Sequence, residues 1–373
     1  MLAGLLGIRL VLLVGPSVPL PAPASLSAAL SQVQVTNDAD NGDGFQMTFT
    51  LSRENPSDYA LLQSGLLDPP SRVVIGVVLG VKPEVLIDGV IMHHQLHPGH
   101  GADEPATLTV TGRPVSAMMN LEERNDQYPN QPDFVIVTRL IAEYASLGLV
   151  PAVTPTTNVP IMTGRIPRQH ETDLCYIERL AADNGFVFYV EPVTFLVNKA
   201  YWGPENRLGI PQRALTTNMG SWDNVSQLSF SNDALAPVGT RAAIVEPITK
   251  MKIPIPVLPS LKTPPLAASP ARALRVRLKR DAAKQKPGEA MTGVIASATR
   301  AADAVTAQGE VDSIRYGEVL RARRVVGVRG AGLTYDGNYF VKKVSHTIER
   351  GSYRQTFTLS REGTRSIMPL VRP

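Results

Sequence analysis

Large apolar and polar side chains alternate through Thr48-Phe49-Thr50-Leu51-Ser52, the period-two pattern of a strand with one buried face. The seven residues Thr48–Glu54 recur identically as Thr356–Glu362, and an aromatic stands three positions before each copy, Phe45 and Tyr353. Strands draw on a small alphabet, so coincidence is one reading. Two related β domains, one near each end, is the other. Asp88-Gly89 and Asp336-Gly337 each stand between strand-like runs and predict two-residue hairpins, whose central residues need positive φ. The shared strand precedes this hairpin in the first half and follows it in the second, so any duplication has diverged or interleaved its strands. Gly7–Val14 predicts a buried first strand, followed by a connector containing Pro16, Pro19, Pro21 and Pro23.

Between the two echoes the period changes to that of helices. Pro132-Asp133 opens one helix with Phe134, Val137, Leu140, Ile141, Tyr144 and Leu147 on one side, and Gly148 can close it. Thr172 can cap a second, with Leu174, Ile177, Leu180 and Ala181 inward and Gly185 at its end. Phe186–Val190, Thr194–Val197 and Val225–Phe230 read as strands, with Pro192 in a turn. From Glu246 to Glu289 eight prolines mix with Arg272, Arg275, Arg277, Lys279, Arg280, Lys284 and Lys286, which predicts a long extended loop. Such a loop is unusual in a compact domain and points to work on a partner surface. An Ala-rich helix near Ala290–Ala307 and further strands complete the chain.

The 373 residues are 43% apolar and 19% charged, an ordinary globular composition with room for two or three domains. Net charge is only +4, and the basic run 272–286 lacks the interleaved aromatics that stack bases, so nucleic acid is not an expected partner. A solvated arm, or one docking on an acidic partner, fits the run better. Cys175 is the only cysteine, which excludes a disulfide-stapled scaffold. A secreted β-rich surface-binding protein would need a cleaved leader. Arg9 interrupts the opening apolar run instead of preceding it, and Pro23 stands inside the Ala22-Pro23-Ala24 cleavage-like site.

No nucleophile elbow, phosphate loop or His-Glu-x-x-His helix occurs, and Gly327, Gly330 and Gly332 lack dinucleotide spacing, so no catalytic or cofactor-binding residues are assigned. His93, His97 and His100, with His94, Asp103 and Glu104 near them, are the candidate metal ligands of a rival hydrolase reading. Against it, His93 and His94 point to opposite faces of a strand, and His97-Pro98-Gly99-His100-Gly101 reads as an exposed turn.

His170-Glu171-Thr172-Asp173-Leu174, Ile177-Glu178-Arg179-Leu180-Ala181 and Gly185-Phe186-Val187-Phe188-Tyr189-Val190 resemble the late control D family of phage tail proteins. Tyr316-Gly317, Gly327–Gly332, Tyr335-Asp336-Gly337 and Tyr353–Gly363 are similar to hubs of contractile injection systems, as is the opening Arg9–Pro16 with its Pro-Ala tract. The resemblance covers most of the chain, is weakest over 200–290, and rests on motif order. It implies a β-rich α+β chain built as two tube-protein-like β-barrel domains with an α/β insertion, assembled as a trimeric hub. The expected segments are a first barrel at 1–115, which can recruit strands from 207–245, an insertion at 116–206, connecting strands at 207–245, the Pro-rich basic loop at 246–289 and a second barrel at 290–373.

The implied role is structural, adapting a sixfold inner tube to a threefold spike, with no enzymatic activity or cofactor. An ordinary contractile phage tail is the near alternative. The implied partners are two further copies, an inner tube protein, a spike on a separate polypeptide (the related VgrG proteins continue into theirs) and baseplate components such as a LysM-type protein. Assembly in the bacterial cytoplasm into a phage-tail-like particle, without membrane insertion, is also implied. Arg53 and Arg361 occupy equivalent places in the echo, as packing residues or as ordinary exposed arginines.

Overall fold

The computed structural model describes residues 7–51, 59–99, 105–156, 166–245, 251–258, 260–279 and 287–367. Its elements run β1 (Ile8–Gly15), β2 (Leu20–Pro21), α1 (Ala24–Ala29), β3 (Leu30–Asp38), β4 (Gly44–Leu51), α2 (Ala60–Gln63), β5 (Arg72–Leu79), β6 (Lys82–His97) and β7 (Ala106–Pro114). The middle holds β8 (Glu123–Gln127), α3 (Asp133–Glu143), β9 (Leu149–Val153), β10 (Arg168–Thr172), α4 (Asp173–Asn184), β11 (Val187–Thr194) and β12 (Val197–Gly203). Then come β13 (Gln212–Thr216), β14 (Val225–Asn232), β15 (Val238–Val245), β16 (Lys252–Ile255), β17 (Ala267–Pro270), β18 (Arg275–Lys279) and α5 (Pro287–Thr299). The chain finishes with β19 (Val305–Asp312), α6 (Ser313–Tyr316), β20 (Val325–Arg329), β21 (Gly337–Glu349), β22 (Ser352–Arg361) and β23 (Gly363–Ser366).

One sheet runs through both ends of the chain in the order β14-β19-β22-β21-β3-β4-β7-β6-β5-β1-β2, with β20 also on β21 and β13 on β20. The expectation of two barrels is corrected here. Among the described residues the ladder is open from β14 to β2, because β21 pairs with β3 instead of closing within its own half. The strands of 207–245 do not reinforce the first half either. β13 pairs with β20, β14 with β19, and β15 with β16 and β18 in a small separate sheet.

The echo is geometric. At the centre Val35 pairs with His346 and Val33 with Ile348. Outward, Val35 faces Phe45 and Val33 faces Met47, while Ile348 faces Tyr353 and His346 faces Gln355. A half-turn between β3 and β21 therefore exchanges the two aromatics and carries β4 onto β22. It also carries β7 onto β19 and β6 onto β14: Leu51 faces Ala106 where Leu359 faces Ala307, and Leu108 faces Leu96 where Gly309 faces Leu228. The repeat is permuted along the chain, since its β3–β4 hairpin comes first in one half and β21–β22 comes last in the other. This accounts for the inverted order of the sequence motifs.

The Asp-Gly hairpins are not where the sequence suggests. Asp88-Gly89 lies inside β6, and Asp336-Gly337 ends a longer connection between β20 and β21. The tight turns are Gly80-Val81 and Arg350-Gly351, where Gly80 and Gly351 supply positive φ. Asp88 is kept out of a turn by a buried partner, Arg72. Pro192 sits at a bulge in β11, and the turn follows at Phe195-Leu196.

The insertion folds as its pattern predicts. The Thr172 side chain caps α4 by accepting from the Cys175 N–H, and Gly185 ends it with φ +70°. Ile136, Val137, Leu140 and Ile141 of α3 pack against Tyr176, Ile177, Leu180 and Trp202. Within the Pro-rich stretch, α5 starts at Pro287 and covers β15, through Ala290 and Val294 against Ala242, Ile244 and Ile255.

His346, at the centre of the pseudo-twofold, is fully buried with Nδ1 2.9 Å from the Tyr353 hydroxyl. Burial, and secondly the charge of Arg321, hold its pKa down to about 3. The unfolded chain takes up this proton near pH 6.5, well before the folded one does. Its contribution is therefore complete above about pH 6.5 and falls as pH drops toward 3, by up to about 1.4 kcal/mol per pH unit. Urea denaturation between pH 7 and 4.5 is expected to show a steeper loss for the wild type than for His346→Gln; equal slopes would remove His346 as the cause.

Candidate assembly surfaces

Three charged clusters set the relative positions of the modules. In the first, Arg72 on β5 donates to both carboxylate oxygens of Asp88 on β6 at 2.9 and 2.7 Å. The same guanidinium reaches the Leu147 carbonyl, and Asn198 of β12 donates to Asp88, so this buried pair fastens the insertion to the main sheet.

The second cluster contains the end of the C-terminal echo. Ser360 donates to Asp303, which also holds Arg207 and Lys262 at 3.1 and 3.0 Å. Burial pushes the Asp303 carboxyl up, but Lys262, Arg207 and Ser360 outweigh it and leave the carboxyl below its ordinary range. Glu362 takes Arg207 and the backbone N–H groups of Leu266 and Ala267, tying down the Pro-rich stretch. Between them Arg361 is fully buried, 4.3 Å over the Tyr339 ring, and donates to the carbonyls of Thr334, Asp336 and Gly363. Arg361 is thus a packing residue that shapes the β20–β21 connection. Arg53, its counterpart in the echo, lies outside the described residues.

The third cluster borders the central ladder. Arg323 pairs with Asp43, Lys342 with Asp40, Lys343 with Asp38, and Arg321 with Glu84. Arg321, Arg323, Glu84, Glu191 and Lys199 also line a cleft of about 710 Å³ where the first half, the insertion and the C-terminal half meet. Its charges are largely satisfied by one another, so it is a junction filled with ion pairs.

The surfaces left for partners are strand edges. Among the described residues β14, Val-Ser-Gln-Leu-Ser-Phe-Ser-Asn, bonds only to β19, which leaves its outer edge unpaired along eight residues that contain no charge and no proline. Charge and proline are the usual guards of a free edge. At the other end β2 pairs with Leu13 and Val14 of β1 and Ala22 donates to the Leu12 carbonyl, leaving Ile8–Val11 without a strand partner on that side among the described residues. Among the described residues, the β14 edge is therefore unguarded, whereas the β1 edge carries Arg9.

Of the candidate metal ligands, His93 and His97 are exposed at the end of β6, and His100, Asp103 and Glu104 lie outside the described residues. His94 is half-buried, with a buried Nδ1 that has no partner. Among the described residues no three His, Cys, Asp or Glu are grouped to hold a metal, and no helix is long and apolar enough to cross a membrane. Sequence reasoning missed Arg72, Asp88, Arg207 and Asp303. Their partners lie up to 155 positions away, and the one local signal, Asp88-Gly89, resembles a turn.

No family model and no curated protein matches the chain. Solved structures do. A tail protein from Neisseria meningitidis aligns over 96% of this chain and 98% of its own with TM-score 0.63 at 12% identity. A prophage tail protein from Shewanella oneidensis aligns over 95% and 98% with TM-score 0.64, also at 12% identity. A chain of the Francisella PdpA–VgrG complex aligns over 98% of this chain and 54% of its own, with TM-score 0.55 at 9% identity. The chain has the fold of these tail proteins and of the chain from the PdpA–VgrG complex, as its motif order implies.

Asp88→Ala strands a buried arginine and frees Asn198. A loss of about 3–5 kcal/mol is expected in chemical denaturation; a change below about 1 kcal/mol would mean that Arg72 finds another partner. Glu362→Ala removes one partner of Arg207, which keeps Glu205 and Asp303, and frees the backbone donors of Leu266 and Ala267. Faster tryptic cleavage between Lys252 and Lys279 is expected, with the rest of the chain cut at an unchanged rate.

Proposed function

We propose that this chain is the structural hub of a contractile tail-like particle, a homotrimer that joins an inner tube to a spike. The observation that carries the reading is the match to tail proteins along nearly the whole chain, without large unmatched parts on either side. The internal pseudo-twofold supports the adaptor role. Each chain repeats the same four-strand arrangement, β3-β4-β7-β6 and β21-β22-β19-β14, so three chains offer six similar surfaces to a sixfold tube and three to a threefold spike.

The repeat also suggests how copies meet. The outer edge of β6 is covered by the antiparallel β5, whereas that of its counterpart β14 has no strand on it among the described residues. A strand from another molecule, such as the open β1 edge of the next copy, would supply what β5 supplies within the chain. Three such contacts close a ring. The two tube-like halves become wall segments of that ring, with the insertion on its flank. In this reading the protein assembles in the cytoplasm, acts through rigidity and symmetry instead of catalysis, and touches other baseplate proteins at its periphery.

Light scattering on the purified chain tests the assembly. A mass near three times 40.2 kDa is expected, and electron microscopy with a tube protein present should show rings capping tube ends. A monomer that leaves tube ends bare would end the hub reading.

A further inference from the structure

Eight strands of the main sheet, β6 (from His93 onward), β7, β4, β3, β21, β22, β19 and β14, turn one face to the core and the other outward. Register places Gln95, Thr109, Thr48 and Gln32 in one row across the outward face of the first half. The half-turn between β3 and β21 carries this row onto Gln227, Glu310, Thr356 and Ser345 in the second half. The neighbouring rows repeat the chemistry. Thr, Gln and Ser fill most of the paired positions on this face, and none of those positions is apolar. Gln34, Gln46, Gln95, Gln308 and Thr356 are exposed.

The bulk of the chain lies behind this face. In the first half Val14 of β1 and Ile75 of β5 form a second layer against Val33 and Phe49. In the second half Leu215 of β13 and Val328 of β20 do the same against Val344 and Phe357. The helices α1 and α6 join these two cores through Leu26 and Tyr316. The insertion is attached to the second layer, through Val90 and the buried Arg72–Asp88 pair.

Such a face is poorly suited to docking. It lacks the apolar and aromatic anchors that hold a protein partner. Its charges are few and largely balanced: Lys343 lies 3.6 Å from Asp38, and Arg354 lies 4.0 Å from Glu349. Hydroxyls and amides without buried partners belong in contact with water. Size then decides which way the face points in a ring of three copies. Three eight-strand walls at about 4.8 Å per strand close a ring roughly 40–50 Å across, depending on strand tilt. An insertion of about 90 residues is itself about 30 Å wide, so three of them do not fit inside such a ring. The insertions must stand outside, which turns the Thr–Gln face inward.

We infer that the Thr–Gln face is the wall of a water-filled channel through the ring. Its lining of neutral hydroxyls and amides gives a chain moving along it neither an apolar foothold nor a strong field of one sign. The inference rests on the ring of the proposed function, and adds which face of the sheet is inside and what chemistry it presents.

The test uses the full chain and thiol labelling. The natural Cys175, exposed on α4 of the insertion, is the outside marker. Thr109→Cys and, separately, Thr356→Cys place a thiol on the face in each half, and both variants are expected to form the ring by light scattering. A small maleimide is expected to label every thiol, in the ring and in chain dissociated by dilution. A maleimide carried on a polymer wider than the channel is expected to label Cys175 equally in both states, but the thiols at 109 and 356 about tenfold or more slowly in the ring. If the bulky reagent labels them in the ring as fast as Cys175, the face is outside and the inference is wrong while the assembly stands. Protection from the small reagent overturns it too, because the face is then covered. So does a variant that melts like the wild type but does not assemble, because the face is then an interface. A wild type that is monomeric at every concentration removes the channel and the self-assembly reading together.

Discussion

The antiparallel ladder between β3 and β21 is the constraint on which the rest of the molecule depends. Seven residue pairs, from Lys343 with Asp38 to Glu349 with Gln32, join strands from opposite ends of the chain. Backbone hydrogen bonds alone would leave such a seam weakly registered. Register is fixed by buried pairs at its centre, Val35–His346 and Val33–Ile348, and by polar side chains along it, where Thr36 meets Ser345 and Gln32 meets Glu349. The ion pairs of Arg323 and Lys342 with the Asp38–Asp43 turn close one end. Without this seam the two halves of the pseudo-twofold would be separate open sheets, each with one more bare edge.

Polar interior contacts do what a hydrophobic core cannot: they fix angles between modules. A buried apolar contact tolerates small rotations, but Arg72, held by Asp88 and by the Leu147 carbonyl, accepts only one geometry. Desolvating such groups is expensive, so the gain lies in uniqueness of arrangement more than in stability. A body that must match the symmetry of its neighbours benefits from that bias.

Much of this was legible in the sequence where the signal is local. The Thr172 cap, the Gly185 stop and the apolar face of α4 are set within one helix and appear as expected. The Thr48–Glu54 echo located the repeat correctly because equal strands in equal environments keep equal side chains. What failed was non-local. Nothing near β21 announces β3 as its neighbour, so the halves read as closed barrels. Asp88 read as a turn because Arg72, its partner across the hairpin, lies 16 positions away, outside the local pattern. Short strands in the Pro-rich stretch were hidden because β16 and β18 find their partner in β15, and β17 in β23. The assembly surfaces were the least legible part, since a free edge is defined by what fails to pair with it.

The permuted repeat also bears on how the chain leaves the ribosome. Gln32 and Glu349, which bond across the seam, are 317 positions apart. β3 and β4 emerge early, with Val33 and Val35 aligned along an edge that has no neighbour until almost the whole chain has been made. Synthesis at about 5–20 residues per second leaves that edge waiting for tens of seconds. A nascent chain in this state is a template for strands of neighbouring nascent chains on the same message, so premature pairing competes with the seam. Expression at lower temperature or with holdase chaperones should therefore change the yield of native protein more than the stability of the finished fold would suggest.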